Sequence, residues 1–236
     1  MYDFEHLLTV CSDVASEHPG QAVFIGGIAA FMYIVNSPRI SAYAETTHDG
    51  DFYVSFAGLH ELRDTDELVS NKKLRKHSFT RSGVDFDVYS QYGNGLIVPF
   101  EQIAAYAVSF DGVDVAAIEH LFVLKLDALI DRTGSSKGGK DVRDLACLSL
   151  IEHEFRAELL LPYLRDEHIE MLSELPSRSE IVGLAKGNVQ EVKVIRNRLA
   201  AIARIVGGAS LQLADPALVP NTPIETDPRP VPLIEL

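Results

Sequence analysis

The chain has 236 residues, 47% of them hydrophobic, and a formal charge of −13. That is enough apolar material for one large domain or a domain with a smaller appendage, and too acidic a balance for broad counterion-driven binding to nucleic acid. Only Cys11 and Cys147 are present, without C-x-x-C or H-E-x-x-H spacing, which leaves no basis for a disulfide framework or a zinc site.

In chain order, Leu7, Val10, Cys11 and Val14 recur at helical spacing and predict a helix over about 3–17, ended by Pro19-Gly20. The opening Met1-Tyr2-Asp3-Phe4-Glu5 lacks the basic start and apolar core of a signal peptide. No segment reaches the roughly 20 apolar residues of a membrane span, so a cytoplasmic protein without a membrane partner is expected. Gln21 to Ile25 reads as a short buried strand, and Gly26-Gly27 then opens an apolar helix, Ile28 to Val35. Paired glycines between strand and helix leave backbone N–H groups and the positive end of the helix dipole open to phosphate oxygens. A tight turn needing positive φ explains the same residues equally well.

After a loop over 36–45 comes Thr46-Thr47-His48-Asp49-Gly50-Asp51-Phe52-Tyr53-Val54. In an extended strand Asp49 and Asp51 project side by side, and neighbouring carboxylates repel unless a cation lies between them; oxygen ligands of this kind suit Mg²⁺. Turn acids ahead of an ordinary strand are the plainer explanation of an isolated D-x-D. Residues 58–70 are polar, helical or irregular. Lys72, Lys73, Arg75, Lys76, His77 and Arg81 form a basic cluster on a strand leading to the turn Arg81-Ser82-Gly83. It reads as an edge strand protected by lysines or as a landing strip for a nucleotide or RNA backbone. In Val84-Asp85-Phe86-Asp87-Val88-Tyr89 two acids again alternate with apolar residues; should this strand lie beside the first, three carboxylates converge, with Asp87 favoured over Asp85 as the third.

A looser segment, 95–115, leads to a helix over about Ile118 to Arg132, in which Lys125 has its stem among Leu121, Phe122, Ala128 and Leu129. Its ammonium either snorkels or meets an anion such as a nucleotide phosphate. The loop Gly134 to Asp141 fits G-x-x-x-x-G-K, yet Asp141 stands where a P-loop needs Ser or Thr and a helix precedes it, so a P-loop is rejected. Lys140-Asp141-Val142-Arg143-Asp144 begins another helix instead. Helical segments follow near 152–161, 166–174 and 179–206, ended by Gly207-Gly208, and a Pro-rich extended tail occupies 214–236. The expected division is 1–150, a helical region 151–213, and the tail.

Taken together, Gly26-Gly27, Thr47-His48-Asp49-Gly50-Asp51, Asp87 or Asp85, Lys125 and Lys140-Asp141-Val142-Arg143-Asp144 resemble the nucleotidyltransferase superfamily that includes DNA polymerase beta, and within it the bacterial abortive-infection type of toxin. The resemblance covers about residues 20–150. It implies an α+β fold, a short mixed sheet flanked by helices, and Mg²⁺-dependent transfer of a nucleoside monophosphate from a triphosphate to an acceptor hydroxyl of RNA or protein. The implied roles are Asp49, Asp51 and Asp87 (or Asp85) as metal ligands, Asp87 also drawing the acceptor proton, Gly26, Gly27 and Lys125 holding the triphosphate, and Lys140 or Asp141 shaping the site. A toxin role brings an antitoxin protein as partner; antibiotic nucleotidylation is a second enzymatic option. Two positions depart from the pattern: Glu45 where an arginine is frequent, and Gly50 where a large aliphatic residue commonly faces the core. They favour the rival reading, a binding or regulatory protein that kept the fold and lost the chemistry.

Overall fold

The computed structural model describes residues 4–214. It has a mixed α+β architecture in which one seven-stranded sheet carries the order β3-β4-β5-β2-β1-β7-β6. The strands are β1 (Ala22–Ile25), β2 (Asp49–Val54), β3 (Val69–Asn71), β4 (Lys76–Arg81), β5 (Val84–Ser90), β6 (Val108–Phe110) and β7 (Val113–Val115). The helices are α1 (Phe4–Glu17), α2 (Gly26–Val35), α3 (Phe56–Thr65), α4 (Phe100–Ala105), α5 (Ile118–Asp131), α6 (Ser136–Leu150), α7 (Ala157–Leu160), α8 (Asp166–Glu174), α9 (Glu180–Leu184) and α10 (Val189–Ala214). β1 and β2 are antiparallel, β2 and β5 parallel, and β1 and β7 parallel. Antiparallel pairs β3/β4, β4/β5 and β6/β7 complete the sheet.

The two faces of the sheet differ because the sequence alternates. Phe24, Phe52, Phe79 and Phe86 lie on one face as a buried aromatic cluster, with Phe79 and Phe86 stacked at 4.9 Å and Phe52 set edge-on to both. Arg81 fastens α1 to this side by donating to Glu17 at 2.7 Å, and it also pairs with Asp66 beyond the end of α3. The opposite face carries Asp49, Asp51, Asp85 and Asp87, since residues two apart in a strand share a face and the β2/β5 register sets Asp49 opposite Asp85 and Asp51 opposite Asp87. One apolar cluster continues from α1 through the sheet, α5 and α6 to α10. Cys11 and Cys147 are buried within it, and burial pushes both thiols up to about 12, as small packing residues rather than reactive ones.

Several sequence expectations change. Residues 95–115 are ordered: α4 is followed by the β6/β7 hairpin, whose turn places Asp111 and Gly112 at φ 49° and 83°, the left-handed values an Asp-Gly turn accepts. The helix expected over 179–206 is two helices, separated where Lys186 and Gly187 take φ 49° and 77°. Gly207-Gly208 do not end it; α10 runs through them to Ala214. In the segment expected to be helical over 152–161, only α7 and the 3-10 turn after it are helical. Helix α6 begins at Ser136, four residues before Lys140, because the Ser135 hydroxyl accepts from the Gly138 N–H and caps it. β4 is not an edge strand: β3 pairs outside it, and Lys72, Lys73 and Arg75 lie in the connecting turn. The Pro-rich tail beyond Ala214 lies outside the described residues.

Candidate active site

The acidic face is assembled at the point where β1 turns into α2. Gly26 has φ +66°, and a Cβ built on it would fall 2.3 Å from Asp51 Oδ2, so only glycine lets the chain enter the helix against that carboxylate. On Gly27 a Cβ would sit 3.1 Å from Thr47 Oγ1 and 3.4 Å from Lys140 Nζ. The first turn of α2 therefore has the TxDxD threonine on one side and the α6 lysine on the other. Thr47 is buried and donates to Asp49 Oδ1 at 2.7 Å, orienting the first acid.

The carboxyl of Asp51 is strongly perturbed. Burial, followed by the charges of Asp49 and Asp87, raises its carboxyl to about 6 against the partial relief from Lys125 and Lys76. Asp87 is ion-paired to Lys76 at the start of β4, while Asp85, exposed toward the outer part of the face, accepts from the Thr80 hydroxyl at 2.6 Å. The acids stand between two hollows. A cavity of about 110 Å³ is lined by Gly26, Asp51, Tyr89, Lys125 and Arg132. A wider cleft of about 660 Å³ is lined by Asp49, Glu67, Ser78, Thr80, Asp85 and Asp87.

Lys125 does not snorkel. It is buried, and its ammonium lies 2.6 Å from Asp144 Oδ2 and 3.3 Å from Asp141 Oδ1; Arg132 stands 3.4 Å from the other oxygen of Asp141. The pair of α6 acids holds Lys125 well up in its charged form even though burial opposes it. Its charge is thus shared between fastening α5 to α6 and facing the cavity with Asp51. Asp141 belongs to this internal bridge.

Gly50 has a physical reason. A Cβ there would meet the Phe86 ring at 2.5 Å, so the aromatic of the neighbouring strand fills the core space that a large residue at this position would otherwise take. Glu45, the other departure, is paired with Arg143 of α6. Sequence reading passed over Arg132 and Lys76 as individual site residues. Arg132 was signalled by its place two turns beyond Lys125, and Lys76 by its alternation with Ser78 and Thr80, which puts it on the acidic face.

The donor set fits a divalent cation by its chemistry: Asp49, Asp51 and Asp87 are carboxylates from two paired strands, with Asp51 raised by burial and then by its acidic neighbours and packed where Gly26 has no side chain. Among the described residues no three His, Cys, Asp or Glu side chains already stand close enough to hold a metal ion. No helix among the described residues is long and apolar enough to cross a membrane.

Compared with known structures, the chain is similar to an antigenic nucleotidyltransferase-like protein from Paracoccidioides brasiliensis, with a TM-score of 0.51, 18% identity, and coverage of 80% of this chain and 93% of that one. The fold is nucleotidyltransferase-like. JHP933 from Helicobacter pylori aligns at a TM-score of 0.46 and 13% identity, covering 89% of this chain and 95% of that one. The polyadenylate synthase of Megavirus aligns at 0.43 and 12%, over 72% of this chain and 39% of that one. No protein-family model and no curated protein matches the chain. The acidic face meets the start of α2 where Asp51 packs on Gly26, and Lys140 lies beside Gly27.

Proposed function

We propose that the protein is a cytoplasmic, Mg²⁺-dependent nucleotidyltransferase that moves a nucleoside monophosphate from a nucleoside triphosphate to an acceptor hydroxyl. The observation that carries this reading is the parallel register that sets Asp49 opposite Asp85 and Asp51 opposite Asp87 on one face, beside Gly26, whose missing side chain makes the room that the Asp51 carboxylate fills. Asp49, Asp51 and Asp87 would hold the metal, which when bound supplies charge neutralisation and polarisation of phosphoryl oxygens. The N–H groups at the start of α2 receive phosphate oxygens, and the absence of side chains on Gly26 and Gly27 permits the close approach. Lys140, beside Gly27, and Arg132, in the cavity with Asp51, add positive charge for the triphosphate; Lys125 contributes in part, its charge being shared with Asp141 and Asp144. In this reading Asp87, which lines the wider cleft, also draws the proton from the acceptor hydroxyl.

The acceptor in this reading is RNA or a protein side chain, in a toxin held in check by an antitoxin protein. A second reading, nucleotidylation of a small cationic antibiotic, is favoured by the wider cleft: Asp49, Glu67, Asp85 and Asp87 repel a polyanion and attract a compact cation. The non-catalytic alternative loses one of its two supports, because Phe86 accounts for Gly50.

Calorimetric titration of each nucleoside triphosphate with Mg²⁺ tests the reading. Metal-dependent binding by the native protein that an Asp49→Asn/Asp51→Asn variant loses is the expected result. A well-folded native protein that binds no triphosphate with Mg²⁺ sinks it.

A further inference from the structure

We propose that Lys76 is a built-in cation that holds the third carboxylate of the metal site, so that a divalent ion loads by exchange, entering as the ammonium leaves Asp87. This rests on the reading of Asp49, Asp51 and Asp87 as the metal-holding set.

Four carboxylates on one sheet face repel one another, and the structure compensates them unequally. Asp49 receives a neutral hydroxyl from Thr47 and Asp85 one from Thr80. Asp51 lies against Gly26. Among the described residues, Asp87 alone of the four forms a direct ion pair, with the Lys76 ammonium on its Oδ2. The other cations nearby lie elsewhere or are shared: Lys125 bridges Asp141 and Asp144 and relieves Asp51 only in part, Arg132 faces Asp141, Arg143 pairs with Glu45, and Lys140 stands beside Gly27 and Thr47.

Lys76 is also well placed to let go. It is the first residue of β4, following Arg75 at φ +51° in the β3/β4 turn, and Ser78 rather than Lys76 stands directly opposite Asp87. The lysine therefore reaches diagonally across the face, and turning its four-carbon stem toward solvent leaves the β4/β5 ladder intact. With side-chain exposures of 17% and 25%, the pair is neither locked in the core nor fully solvated. An ammonium and a divalent ion on one carboxylate oxygen repel, so metal affinity is held down while Lys76 stays. A triphosphate brings negative charge that the released ammonium can meet, so metal and nucleotide load together rather than metal alone.

The test is a Mn²⁺ titration of the full chain without nucleotide, reading free Mn²⁺ by electron paramagnetic resonance, with circular dichroism to verify folding. Lys76→Met is expected to bind Mn²⁺ about tenfold more tightly than the native protein, from removal of one positive charge at contact distance. Lys76→Gln should do the same and serves if the methionine variant fails to fold. Lys76→Arg keeps the charge and should stay near native affinity, a distinction that a merely structural role would not produce. Lys76→Met combined with Asp87→Asn should lose the gain. Equal or weaker binding by folded Lys76→Met and Lys76→Gln overturns the exchange, while binding that still depends on Asp49 and Asp51 leaves the metal reading standing. Absence of Mn²⁺ binding in every folded variant overturns both.

Discussion

The contact between Gly50 and Phe86 shows how a single position can look anomalous in sequence and be required in space. The missing side chain on β2 is the room that the Phe86 ring occupies from β5, and that ring in turn packs on Phe79 and Phe52. Gly50→Ala drives a methyl into the ring and is expected to cost about 1–3 kcal/mol of stability, the range for overpacking a filled core. Combining it with Phe86→Leu should cost less than the sum of the two single changes, because the shorter side chain vacates the contested space. Urea denaturation of the four proteins measures the coupling, and strict additivity would contradict the account. The acids at 49, 51 and 87 were legible from sequence because period-two alternation alone assigns them a face. The Gly50–Phe86 complement was not, since it depends on which strands become neighbours and in what register.

Among the elements, α5 is tied down at both its faces. Lys125 joins it to α6, and Glu119, fully buried in its first turn, accepts from His153 Nε2 at 2.7 Å and from the Arg156 backbone N–H, Nε and Nη2 at 2.9–3.1 Å. Burial would raise the Glu119 carboxyl, but the hydrogen bonds from Arg156 and His153 outweigh it and hold the group at about 2. A carboxyl lowered on folding contributes stability that is present above its unfolded value, near 4.5, and is lost as pH falls toward 2. Glu119→Gln is therefore expected to lose about 1–2 kcal/mol near neutral pH, because a neutral amide replaces the buried carboxylate that accepts the charge-assisted hydrogen bonds of Arg156, whose own guanidinium can still reach water. Its deficit relative to native should shrink between pH 4.5 and 2, as thermal melts across that window will read. Helices with a clean apolar period, α1, α5 and α8, were readable to within about a residue at each end. The α9/α10 break was missed because a lysine, Lys186, takes the left-handed conformation there. The β6/β7 hairpin was missed because its strands are too short to show alternation, although Asp111-Gly112 carried the turn signal.

At the scale of the molecule, the helical region after residue 150 does not have an apolar interior of its own. Leu172 and Leu175, Ile181 and Leu184, and the buried residues of α10 share one cluster with α5, α6 and the sheet. A single calorimetric unfolding transition is expected, with van't Hoff and calorimetric enthalpies in agreement; two resolved transitions would show that the regions divided near residue 150 melt independently. The placement of Lys140 beside Gly27 has a consequence for synthesis. The glycines and the first two acids leave the ribosome early, the strand bearing Asp87 follows, and the lysine emerges only after α5 has been made. A nascent chain thus carries the acids long before Lys140 can reach Gly27, and the full set comes together only once well over half of the polypeptide has been made.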